Sequence, residues 1–110
     1  MKEILKRIVD IIADKKGEQT VVLDISEISS LADYFVISSA NNINQLQAIS
    51  DDLQELLEKE GLKINKVEGA KNSSWVLLDF TDIVIHLFTK EDRIFYNLER
   101  IWADAKQVEL

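Results

Sequence analysis

The sequence predicts an α/β (α+β) fold, a mixed β-sheet of about five strands flanked by helices. Three observations carry that prediction. Apolar residues recur at helical spacing in three segments, near residues 2–15, 43–57 and 91–105. β-rich runs lie between those segments. Two of the runs, 75–80 and 83–88, are separated only by Thr81-Asp82.

Each element has its own reason. In the first segment Ile4, Leu5, Ile8, Ile11 and Ile12 fall on one helical face, and Lys15 and Lys16 precede Gly17, which predicts a stop there. Val21–Ile25 and Tyr34–Ile37 are β-rich, and the polar run SEISSLAD between them predicts a turn or short connector. Asn41 and Asn42 offer an N-cap. Ile43, Leu46, Ile49, Leu53, Leu56 and Leu57 then keep a three-to-four residue period until Gly61. Leu62–Val67 predicts a weaker strand. Finally, 91–105 predicts one helix with Ile94, Phe95, Leu98, Ile101 and Trp102 on one stripe, and Glu91 and Asp92 suit the positive end of its dipole.

Composition narrows the function classes. The 110 residues carry 13 Lys+Arg against 20 Asp+Glu, a net charge of −7, with 46% hydrophobic residues. That length and mixture fit a single domain over 1–110 with one core. Cysteine is absent, which removes disulfide scaffolds, thiolate zinc sites, iron–sulfur clusters and cysteine nucleophiles. No apolar run approaches a membrane span, and the first helix carries Glu3, Asp10 and Asp14, unlike a signal or transit peptide. A cytoplasmic protein with no membrane association is therefore expected. The acidic balance argues against direct nucleic-acid binding, which runs on Lys and Arg, and suits a basic protein partner or simple solubility.

The hairpin is the most informative stretch. Strand residues alternate faces. With Thr81-Asp82 as the loop, Phe80 pairs with Ile83, Leu78 with Ile85 and Val76 with Leu87, an apolar face that belongs to the core. The other face sets Trp75, Leu77 and Asp79 across from Phe88, His86 and Val84. Two readings of it are open. Either a helix covers it and Asp79 and His86 satisfy each other, or it is a partly exposed protein-binding patch with aromatic anchors and a charged rim. In the last helix Tyr96 lies off the apolar stripe, beside Arg93 and Arg100. It is read either as a ring covered by arginine stems or as a Tyr–Arg contact spot.

Catalytic constellations are poorly supported. His86 is the lone His, with no partner at metal-ligand spacing, and no nucleophile-elbow motif accompanies the serines. Three scattered Gly, at 17, 61 and 69, build neither a P-loop nor a dinucleotide-binding loop. A two-metal nucleotidyl-transfer site needs carboxylates as Asp-x-Asp on one strand face, and Asp79 stands there alone. No cofactor and no metal are expected.

Two blocks carry a family resemblance: LADYFVISSANN at 31–42 and SWVLLDFTDIVIHLFTKEDRIFYNLERIWADA at 74–105. The second contains W-x-L-L-D-x-x-D-x-x-x-H-x-F, then E-x-R-x-F-Y-x-L-E-R, then W-x-D-A. In these motifs the chain resembles the ribosomal silencing factor, or Iojap, family across nearly its whole length. The resemblance implies a nucleotidyltransferase-like fold without the catalytic carboxylate pair, and a non-enzymatic role. It implies binding to the fourteenth protein of the large ribosomal subunit, on the face that meets the small subunit. Subunit joining is then blocked and translation repressed when nutrients are scarce, and the free protein is a homodimer. Trp75, Leu77, Asp79, His86, Phe88, Arg93 and Tyr96 fall within the motifs and, with Asp82 and Glu91, are the candidate partner-binding residues. Trp75, Leu77, Phe88 and Tyr96 are the candidate contact core, and Asp79, Asp82 and Glu91 the candidate charged rim. The rival reading is a nucleotide-binding or nucleotidyltransferase-related enzyme, motivated by fold analogy alone.

Overall fold

A computed structural model describes residues 2–69 and 72–110. Helix α1 (Lys2–Asp14) leads into β1 (Glu18–Asp24) and β2 (Tyr34–Ala40), and α2 (Ile43–Lys59) follows. Then come the short β3 (Lys66–Glu68), β4 (Trp75–Asp79) and β5 (Ile83–Thr89). Two short helices, α3 (Lys90–Tyr96) and α4 (Leu98–Ile101), and β6 (Lys106–Gln107) complete the chain. The strands form one six-stranded sheet in the order β3-β4-β5-β2-β1-β6. β2 and β5 run parallel and the other neighbours are antiparallel, so the sheet is mixed as expected.

Helices α1 and α2 pack on one sheet face. Leu5, Ile8, Ile11 and Ile12 of α1 and Leu46, Ile49, Leu53 and Leu57 of α2 meet Val22, Val36, Val76, Leu78, Ile85 and Leu87 of the sheet. The amphipathic spacing seen in the sequence is thus the buried stripe. Asn42 caps α2 by accepting from the Gln45 N–H at 2.8 Å, while the Gln45 side-chain amide donates to the carbonyls of Lys15 and Lys16 at 3.1 and 2.9 Å. That one side chain ties the end of α1 to the start of α2. Gly17 is required by space: a Cβ there would stand 2.2 Å from Ile12 Cγ2. The left-handed residue after α1 is Lys16 (φ 67), not Gly17.

The hairpin register is the expected one, with Trp75 opposite Phe88, Leu77 opposite His86 and Asp79 opposite Val84. Its turn is tight. Thr81 sits at φ 76, and the Asp82 N–H donates to the Phe80 carbonyl at 3.0 Å. The Asp82 carbonyl accepts from the N–H groups of Asp33 and Tyr34, which pins the start of β2 to the turn.

Three expectations need correction. The sheet has six strands rather than about five, because Lys106–Gln107 pairs with Leu23 and Asp24 on the edge beside β1. The strand expected over 62–67 is paired only over Lys66–Glu68. The single helix expected over 91–105 is broken at Asn97, whose backbone is left-handed (φ 45, ψ 56). A left-handed residue ends a helix because the following carbonyls leave the helical line. The expected stripe splits accordingly. Leu98 and Trp102 pack on the second face of the sheet, whereas Ile94 and Phe95 are 79% and 78% exposed and Ile101 is also exposed.

Candidate functional site

The second face of the sheet is only partly covered. Leu23, Phe35, Ile37, Val84 and Phe88 are buried there, with Leu98 and Trp102 of the C-terminal segment packed over them. The cover stops short of β4. An open groove of about 400 Å³ is left, floored by Val84 and His86 and walled by Trp75 and Leu77 on one side. Phe35, Leu98 and Trp102 form the other wall. Lys66, Glu68 and Asp79 stand on its rim, and exposed Leu31 closes one end.

Strand alternation puts these side chains together. Trp75, Leu77 and Asp79 are every second residue of β4, and Lys66 and Glu68 every second residue of the neighbouring β3. Trp75 is half-buried and lies against the rings of Phe88 and Tyr96, at centroid distances of 4.9 and 4.7 Å. The Trp75 indole N–H donates to Nδ1 of His86 at 3.3 Å. His86 is itself only 5% exposed, in an edge-to-face contact with Phe35 at a centroid distance of 4.8 Å. Burial among rings disfavours the imidazolium and pushes the His86 pKa down to about 4. Nε2 of His86 is buried and finds no hydrogen-bond partner among the described residues.

Asp79 does not pair with His86, contrary to one of the two readings of this face. Its Oδ1 accepts from the Thr81 N–H at 2.7 Å and its Oδ2 from the Asn65 side chain at 3.4 Å, so the carboxylate braces the turn. Lys66 pairs with Glu68 at 2.7 Å, and that contact raises the Lys66 pKa.

The fold therefore gathers Trp75, Leu77, Asp79, His86 and Tyr96 into one neighbourhood and separates the other candidates. Phe88, expected in the contact core, is 1% exposed beneath Trp75 and presents no surface. Arg93, expected beside Tyr96, is 8% exposed and turned toward the sheet. Its Nε donates to Glu99 at 2.9 Å and one Nη to the Glu18 carbonyl at 3.3 Å and to Ser39 Oγ at 3.4 Å. Tyr96 accordingly packs against Trp75, Phe88 and Phe95 rather than under arginine stems. Asp82 and Glu91 are exposed but do not line the groove.

Sequence reasoning missed Leu31, Phe35, Lys66, Glu68, Leu98 and Trp102 as groove residues. The alternation of Lys66 and Glu68 was a usable signal; the approach of Leu31 from a loop was not. Among the described residues no three His, Cys, Asp or Glu side chains converge as metal ligands, and no helix is long and apolar enough to cross a membrane.

This arrangement, a mixed sheet with two helices on one face and a half-open aromatic groove on the other, defines a class of small α+β domain already known from crystals. The chain is similar to a Bacillus halodurans crystal structure with TM-score 0.87 and 39% identity, covering 100% of both chains. It is also similar to one from Chromobacterium violaceum with TM-score 0.89 and 29% identity, covering 93% of this chain and 85% of the other. The family model described as "Ribosomal silencing factor during starvation" matches residues 1–110. A Halalkalibacterium halodurans protein named Ribosomal silencing factor RsfS is 42% identical over 109 residues, 99% of this chain and 93% of its own. The chloroplastic protein Iojap of Arabidopsis thaliana is 38% identical over 98 residues, 89% of this chain and 41% of its own. The chain belongs to the ribosomal silencing factor family.

Proposed function

We propose that this chain is a ribosome-associated repressor of translation that acts in the cytoplasm. It docks on the large ribosomal subunit through that subunit's fourteenth protein and keeps the small subunit from joining. One observation carries the reading beyond the family name: the open, apolar groove beside Trp75 and Leu77, rimmed by Asp79 and the Lys66–Glu68 ion pair on a chain of net charge −7. Aromatic and aliphatic anchors on an acidic chain suit a basic protein surface, with the charge speeding encounter and the rings slowing release. The charge balance favours protein over RNA on the ribosome.

Blocking by occupancy needs no chemistry, so the role is non-enzymatic and uses no cofactor. The free protein is a homodimer, and the exposed Ile94, Phe95 and Ile101 offer an apolar surface for it. The test is binding of purified protein to isolated large subunits and to the isolated fourteenth protein. Saturable binding to both, weakened by Leu77→Asp, supports the reading. Absence of binding to either refutes it.

A further inference from the structure

We infer that His86 is a positioning residue for Trp75, a neutral imidazole protonated on Nε2 whose bare Nδ1 dictates which edge of the indole faces inward. An indole N–H can only donate, so the nitrogen it meets at 3.3 Å carries no proton. The proton of the neutral ring then sits on Nε2. The stack with Phe88 and the tilted contact with Tyr96 hold the faces of the Trp75 ring, and face contacts alone do not choose which edge turns inward. The hydrogen bond removes the choice.

The surroundings of His86 support this role. The ring is packed by Phe35 and Phe88, and Nε2 finds no partner among the described residues. A buried donor without an acceptor is unfavourable, and a phenyl ring would avoid it. Against that standing cost, Nδ1 gives the fold something a phenyl ring cannot, a fixed anchor for the aromatic wall of the groove. Buried to this degree, His86 acts through Trp75 and not by touching a partner. The inference deepens the docking reading and rests on it for its consequence, though not for its chemistry.

The experiment uses the full chain in two parts. Long-range ¹H–¹⁵N correlation at neutral pH reports the tautomer of His86. The expected result is a protonated Nε2 and an unprotonated Nδ1, and a proton on Nδ1 overturns the inference whatever the variants do. His86→Phe, which removes the acceptor, and His86→Asn, whose Oδ1 restores one near the Nδ1 position, are then compared. The Trp75 indole resonance should move in the Phe variant and stay near its original position in the Asn variant. Affinity for isolated large subunits should fall about tenfold with Phe and recover with Asn. An unmoved indole resonance in a folded Phe variant overturns the inference. If the Phe variant does not fold, the wild-type tautomer still decides. Expected spectra in a protein that binds no large subunit refute the docking reading and leave the positioning role standing.

Discussion

One Nη of Arg93 donates to the backbone carbonyl of Glu18, 75 residues earlier in the chain, at 3.3 Å. Arg93 is the one buried residue of α3, because Ile94, Phe95 and Tyr96 are all exposed. The cover of the second sheet face is thus fastened by a buried cation as well as by apolar contact. Arg93→Ala leaves the Glu18 carbonyl and Ser39 Oγ without this donor, and should cost about 2–4 kcal/mol in urea unfolding. Arg93→Lys should lose less, since an ammonium reaches only part of the fork.

Trp75 lies at the meeting point of stability and docking. It is half-buried against Phe88 and Tyr96, so Trp75→Ala should lower stability by about 2 kcal/mol and leave the circular dichroism spectrum native. Docking on the large subunit should weaken by tenfold or more, the behaviour of a central aromatic anchor. A melted spectrum would assign Trp75 to the core instead.

The buried imidazole makes stability depend on pH in a calculable direction. The folded pKa of His86 is about 4, below the ordinary 6.5, because burial excludes the charged form. The folded state therefore refuses a proton that the unfolded chain accepts. No cost is present above about pH 6.5. The cost grows as pH falls toward 4 and levels off below it, reaching about 3 kcal/mol. Urea unfolding of the wild type and His86→Asn across this range should show the gap closing in the variant's favour as pH falls.

The carboxylate of Asp79 has two separable effects. Its Oδ1 braces the turn, and its charge borders the groove. Asp79→Asn keeps an acceptor and removes the charge. It should slow association with the large subunit and flatten its salt dependence while leaving dissociation nearly unchanged, as stopped-flow mixing would register.

Thr81 is a β-branched residue at φ 76, a conformation that disfavours every side chain. Thr81→Gly removes a strain of about 1–2 kcal/mol and returns part of it as unfolded-state freedom. A net gain of about 0.5–1 kcal/mol in thermal unfolding is the expected outcome.

These particulars also mark what could be read from residues alone. The hairpin register follows from a two-residue period and a two-residue loop, so the composition of both sheet faces was legible down to the pairing of Leu77 with His86. The apolar stripes of α1 and α2 were legible for the same reason. The break at Asn97 was not, because apolar spacing runs on through it and asparagine is tolerated inside a helix. With the helix ended there, Arg93 is the buried residue of the first piece, and Ile94 and Phe95 stay outside. Nor could local pattern reveal that Asp79 accepts from its own turn rather than from His86, a choice made by short-range geometry.

The most direct test of the account is sedimentation of purified small and large subunits under joining conditions, with and without saturating protein. The account predicts that added protein shifts joined ribosomes to free subunits and that Trp75→Ala restores joining. An undiminished joined peak at saturating wild-type protein would contradict it.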